Sequence, residues 1–147
     1  MTHADADRYA AKHPEDRKLN KKIAEAVQKR AANGEINCAD ASAIAENLRV
    51  DMLEVGVMID LLEIRLKRCQ LGLFGYGQKN QRKAIIGPAP VVSAELEEAI
   101  RSNLADGRLP CIAAWDIANR ANIARMDISS ACEALKIKIK PCQLGAF

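Results

Sequence analysis

Apolar residues recur every four positions at Leu19, Ile23, Val27 and Ala31. That is the spacing of a single buried helix face, and it predicts a helix running from Pro14, a first-turn proline, to a stop at Asn33-Gly34. A short extended piece, Glu35 to Cys38, follows. Helical spacing resumes over about Ala39 to Asn47 and again over about Asp51 to Leu62. Beyond it, Ile64 to Arg68 alternates branched apolar with basic residues, the period-two pattern of a half-buried strand.

The series then returns without a gap, 73 residues further on. Gly34 aligns with Gly107, Cys38 with Cys111, Ala41 with Ala114, Ile44-Ala45 with Ile117-Ala118, Leu62 with Leu135 and Ile64 with Ile137. Both copies end alike, Cys69-Gln70-Leu71-Gly72 with Phe74 and Cys142-Gln143-Leu144-Gly145 with Phe147. The second copy supplies its own first helix, with Ser93 as N-cap, Leu96, Ile100 and Leu104 on one face, and Asp106-Gly107 as its stop. Such a register marks a duplicated structural unit. It divides the 147 residues into a flexible tail (1–14), a first repeat (15–77), a linker (78–92) and a second repeat (93–147). Each repeat has roughly 55 residues, marginal alone and viable in tandem.

Composition refines this picture. With five aromatic residues in all, the cores are built from Ala, Ile, Leu, Val and Met, which suits small helices packed closely. No run of 18 apolar residues occurs, and the first twenty residues lack the apolar centre of a signal peptide. A soluble cytoplasmic protein with no membrane partner is the expectation. Residues 1–75 hold 12 Lys/Arg and 12 Asp/Glu, and residues 76–147 hold 10 and 7. The net +3 therefore sits in the linker and second repeat, a lean toward a polyanionic partner.

Within helices two and three, Ile44, Ala45, Leu48, Val50, Val55 and Met58 occupy positions that a helix-turn-helix buries. Ile117, Ala118, Ala121, Ile123, Ile128 and Ala131 do so in the second copy. Small Ala45 and Ala118 stand where two helices approach most closely. Arg49 and Asn122 stand in the turn. Asn tolerates a left-handed backbone and Arg does so poorly, so a distorted first turn is expected. In these residues and in the order helix, strand, helix, turn, helix, strand, the chain resembles tandem winged helix-turn-helix proteins of the bacterial transcription-regulator type, over about Leu19 to Leu71 and Leu96 to Phe147. The resemblance implies a mainly α fold with small β-wings. It also implies a DNA-binding regulator whose third helix enters the major groove while the strand hairpin touches the backbone. Some tandem winged-helix proteins act instead as adaptors in chromosome-organising complexes, so the fold leaves both readings open.

The groove-facing side of helix three separates the copies. In the first it reads Asp51, Met52, Leu53, Gly56, Val57 and Asp60: two carboxylates that would face phosphates and an apolar strip suited to a protein surface. Met52, Leu53 and Val57 are therefore interface candidates, for a dimer or for the other lobe, with homo-oligomerisation as the expected outcome. Trp115, aligned with Ser42, joins them. In the second copy the side reads Ala124, Arg125, Met126, Ser129, Ser130 and Glu133, flanked by Asn119, Arg120 and Asn122. DNA-contact candidates are Arg120, Asn122, Arg125, Ser129 and Ser130, with Lys138 on the basic strand and Lys79, Arg82 and Lys83 in an acid-free linker that can track a phosphate backbone.

Five cysteines without a CxxC spacing, in a chain without an export signal, argue against a disulfide framework. Cys38, Cys69, Cys111 and Cys142 recur with the duplication, and separations of 31 residues give no local chelate. They read as small core hydrophobes, so no metal or cofactor is expected; a redox or metal sensor is the alternative should the lobes bring them together. His3 and His13 both lie in the tail, and no nucleophile has a base at a recognisable spacing. Neither a Walker nor a dinucleotide-binding motif is present. The expectation is a non-enzymatic protein.

Overall fold

A computed structural model describes residues 20–76 and 84–147. The chain is mainly helical, with six helices and one two-stranded sheet among the described residues. It forms two compact units. The first takes in the described residues up to Cys69 together with Leu144–Ala146, and the second takes in Gln70–Gln143 with Phe147. Unit membership thus changes at Cys69, eight residues before the repeat boundary expected at 77.

In the first unit, α1 (Lys21–Arg30) begins where the Asn20 side chain accepts from the Lys22 and Ile23 amides at 3.1 and 3.3 Å, and ends on Lys29 and Arg30 beside the negative end of its dipole. It buries Ile23, Ala24 and Val27. Asn33-Gly34 lies past the helix end. Both residues have left-handed φ, 56° and 75°, and Ala32 and Glu35 exchange backbone bonds across them, the pattern of a type I′ turn. Then come β1 (Glu35–Asn37), α2 (Cys38–Leu48), α3 (Met52–Leu61) and β2 (Arg65–Lys67). The core is Ile23, Val27, Ile36, Ile44, Val55, Met58 and Ile59. Of the helix-turn-helix positions read from sequence, Ile44, Ala45, Val55 and Met58 are buried, while Leu48 and Val50 are half-buried.

β2 pairs parallel with β1, Glu35 opposite Arg65, Ile36 opposite Leu66 and Asn37 opposite Lys67. Among the described residues no antiparallel hairpin follows it; the Gln70-to-Phe74 run is turn and bend. The strand's alternation is therefore satisfied by the segment before α2.

The second unit repeats this plan with α4 (Ala94–Ser102), α5 (Cys111–Ala121) and α6 (Arg125–Leu135). The Ser93 hydroxyl accepts from the Leu96 amide at 3.1 Å at the start of α4. Asp106-Gly107 repeats the left-handed pair, at 52° and 77°. Buried Ile100, Leu109, Ile117, Ala118, Ile128, Ala131 and Cys132 form the core with Leu71 and Phe74; Ile123 is half-buried and Ala121 exposed.

The duplication extends to backbone detail. Left-handed residues recur 73 positions apart as Asn33 and Asp106, Gly34 and Gly107, Arg49 and Asn122, Glu63 and Lys136, Gly72 and Gly145. Arg49 and Asn122 adopt nearly the same angles, φ 54° and 57° with ψ 46° and 45°. The first turn is thus undistorted. Arg49 takes the left-handed conformation outright, because the Val50 and Arg49 amides close on the Ala45 and Glu46 carbonyls in a Schellman cap.

Candidate functional site

The apolar face of α3 is covered from within its own unit. Gly56 lies against the backbone of Leu144, so closely that any side chain at 56 would collide with the Leu144 carbonyl, and a Cβ on Gly145 would stand 3.2 Å from Leu53 Cδ1. Glycine in mid-helix costs about 1 kcal/mol relative to alanine, and here it permits that approach. Val57 is 7% exposed and Met52 half-buried, leaving Leu53, at 57%, as the open part of the strip. Of the two expected uses of this face, a dimer or a contact with the other repeat, the second fits the residues that lie on it, since Leu144 and Gly145 belong to the second repeat, and Val57 is not open to a second copy.

Of the two basic side chains expected on α6 and before it, Arg125 is committed elsewhere and Arg120 is not. The Arg125 guanidinium stacks 3.7 Å from the centroid of the Trp115 ring, and its Nη1 donates to Gln70 Oε1 at 3.0 Å. Trp115 itself is half-buried, and its Nε1 is buried without an acceptor among the described residues. Arg120 Nε meets Asp116 Oδ2 at 3.0 Å, yet the Arg120 side chain is 80% exposed. In water such a pair contributes little and leaves the cation available. Asn122 is exposed in the left-handed cap. Ser130 is half-buried, its carbonyl accepting from the Ala89 amide. Ser129 is 2% exposed and cannot face a duplex from that position, which corrects its reading as a contact. Lys79, Arg82 and Lys83 lie outside the described residues.

Lys138 belongs to a different arrangement that the sequence reading caught only in part. A single parallel bridge, Leu109 with Ile139, replaces the β1–β2 ladder in the second unit. It sets Arg108 beside Lys138, where the first unit has Glu35 opposite Arg65. Like charges directly opposite oppose pairing, and the Cys111 amide, which a longer ladder would direct to Lys140, donates to the Pro141 carbonyl instead. The shortened ladder follows. Arg108, Lys136, Lys138 and Lys140 are all exposed, and none has a carboxylate within 4 Å among the described residues. In the first unit, by contrast, Lys67 Nζ stands 3.9 Å from Glu35 Oε1.

Behind this basic edge opens a cleft of about 410 Å³ whose lining includes Arg108, Lys138 and Lys140, Ser129, Cys132 and Glu133 of α6, and Phe74 and Phe147. The two rings meet edge to face, centroids 5.8 Å apart at 78°. Ser129 Oγ is buried with no hydrogen-bond partner among the described residues. Burial pushes the Cys132 thiol up to about 11, so it stays protonated at neutral pH. All five cysteines are buried, and Gln143 Nε2 lies 3.5 Å from Cys111 Sγ. No group of three His, Cys, Asp or Glu side chains among the described residues is placed to hold a metal ion. No described helix is long and apolar enough to cross a membrane.

The residues missed from sequence, Arg108 and Lys140 at the edge and Cys132 and the phenylalanines in the cleft, had one readable signal. Aligning the repeats puts Arg108 on Glu35 and Ser129 on Gly56, so the second copy gains a cation and a hydroxyl. Comparison with known proteins finds no matching family model, curated protein or solved structure.

Proposed function

We propose that the chain is a duplex-DNA-binding protein of the tandem winged helix-turn-helix kind, acting in transcriptional regulation, with the second unit as the DNA-contacting half. The observation that carries this reading is the exposed cationic edge Arg108, Lys136, Lys138 and Lys140, with Arg120 and Asn122 at the α5–α6 turn as further contacts. Contact is chiefly with the phosphate backbone. Arg125 is held by Trp115 and Gln70, and the outer side of α6 carries Asp127 and Glu133, so little remains there to read base edges. The first unit serves as the supporting half, since its α3 face is already covered.

Backbone binding makes a quantitative demand. Neutralising about four phosphates gives a slope of log affinity against log salt near −3.6 for duplex DNA. Fluorescence anisotropy of a labelled random duplex across a salt series measures it directly. Absence of binding at low salt favours a protein-interaction adaptor instead, a reading supported by exposed Leu53 and Ile112 and the acidic outer side of α6.

A further inference from the structure

We infer that the cleft in the second unit binds a small organic anion: a carboxylate on an apolar, ring-sized body. Three features of the cleft agree on this chemistry. Its rim is cationic, with Arg108, Lys138 and Lys140 and no described ion pair to any of them. The edge-to-face pair of Phe74 and Phe147 gives it an aromatic wall, and its volume of about 410 Å³ falls in the range of small-molecule sites. Ser129, nearly fully buried in α6, contributes a hydroxyl that has no partner among the described residues. A buried hydroxyl without a partner is costly, and an acceptor seated in the cleft would remove that cost.

The first repeat serves as an internal control. At the aligned positions it has Glu35 for Arg108, paired with Lys67, and Gly56 for Ser129, filled by the Leu144 backbone. The same scaffold therefore carries an acid opposite its strand cations and is closed at this position in one unit, and in the other has a cation there and a hydroxyl without a partner among the described residues. Glu133 also lines the cleft, and its charge limits the site to ligands of low negative charge, a monocarboxylate rather than a nucleotide or polyphosphate. The cleft shares Arg108, Lys138 and Lys140 with the proposed DNA edge, but ligand binding stands or falls without DNA present.

The test is titration of the full chain, uniformly labelled with nitrogen-15, with naphthalene-2-carboxylate. Naphthalene-2-methanol serves as the neutral control and acetate as the anion without a body. Saturable shifts in the millimolar range or tighter, centred on the amides of Ser129, Cys132 and Lys138, are expected for the carboxylate. Binding of the neutral alcohol should be at least about tenfold weaker, as loss of a charge-assisted contact implies. Acetate should give none. Ser129→Ala and Arg108→Glu, each checked for an unchanged fold by its spectrum, should weaken the carboxylate about tenfold. The inference is overturned if the carboxylate does not saturate, if its shifts map outside the cleft, if the alcohol binds equally well, or if both variants bind like the parent.

Discussion

The two units begin from one repeated sequence and differ where it matters for a partner. In the first, Glu35 lies opposite Arg65 in the ladder and 3.9 Å from Lys67 Nζ, three strand residues pair in register, and the third helix meets Leu144 and Gly145. In the second, Arg108 stands beside Lys138, one bridge survives, and a cleft remains over Ser129 and Cys132. A duplicated scaffold therefore need not carry its function twice. The acid opposite the strand cations in one copy, and its replacement by a cation in the other, is what the proposed division into a supporting and a binding unit rests on.

The largest expected effect tests closure of the first unit. Val57→Lys places a charge at a 7% exposed position and should destabilise by about 3–4 kcal/mol, read as a lower midpoint in urea. Sedimentation should show the same mass before and after the change. A protein that keeps its midpoint but loses mass would instead place Val57 in an oligomer contact. Gly56→Ala should cost about 1–3 kcal/mol despite alanine's better helix propensity, because the new methyl meets the Leu144 carbonyl. Unchanged stability would mean that the covering segment leaves this face readily.

Charge at the strand pair sets the next effect. Arg108→Glu recreates the pairing of the first unit and should stabilise by about 0.2–1 kcal/mol, with slower amide exchange at Leu109 and Lys140. The same substitution should weaken DNA binding, so that stability and affinity move in opposite directions. At alkaline pH the units differ through Cys132, which occupies the place of Ile59. Its thiol pKa is raised from 9.0 to about 11 by burial, so the stability it contributes is fully present below pH 9 and is lost as pH rises toward and through 11. Cys132→Val should flatten the pH dependence of the urea midpoint over that window relative to the parent. The smallest effect is at the turns: Arg49→Asn should stabilise by a few tenths to about 1 kcal/mol, since Asn already serves at 122 in the same left-handed conformation.

The helices and the alternating segment could be read in the chain because each rests on local periodicity, and the repeat because its matches keep one fixed offset. Ile23 and Val27, or Ile117 and Ile128, declare a buried face whatever they pack against. What could not be read depended on residues distant in sequence. Nothing near Val57 indicates that Leu144 will cover its neighbour Gly56, and nothing near Arg125 indicates that Trp115 and Gln70 will hold it. Strand direction escaped for the same reason: Ile137 to Lys140 specifies a half-buried strand but not whether its partner precedes or follows it. The basic edge was half legible, Lys138 from alternation and Arg108 only once the copies are set side by side.

The central claim, that the second unit's cationic edge and not its counterpart in the first meets DNA, is tested most directly by matched charge reversals. Lys138→Glu with Lys140→Glu in the second unit, and Arg65→Glu with Lys67→Glu in the first, occupy aligned positions. Affinity for a random duplex is measured by anisotropy across a salt series for both double variants and the parent. The account predicts at least about a tenfold loss for the second-unit reversal at low salt and a salt slope shallower by about 1.8, with little change for the first-unit reversal. Equal losses from both reversals, or a larger loss from the first, would contradict it.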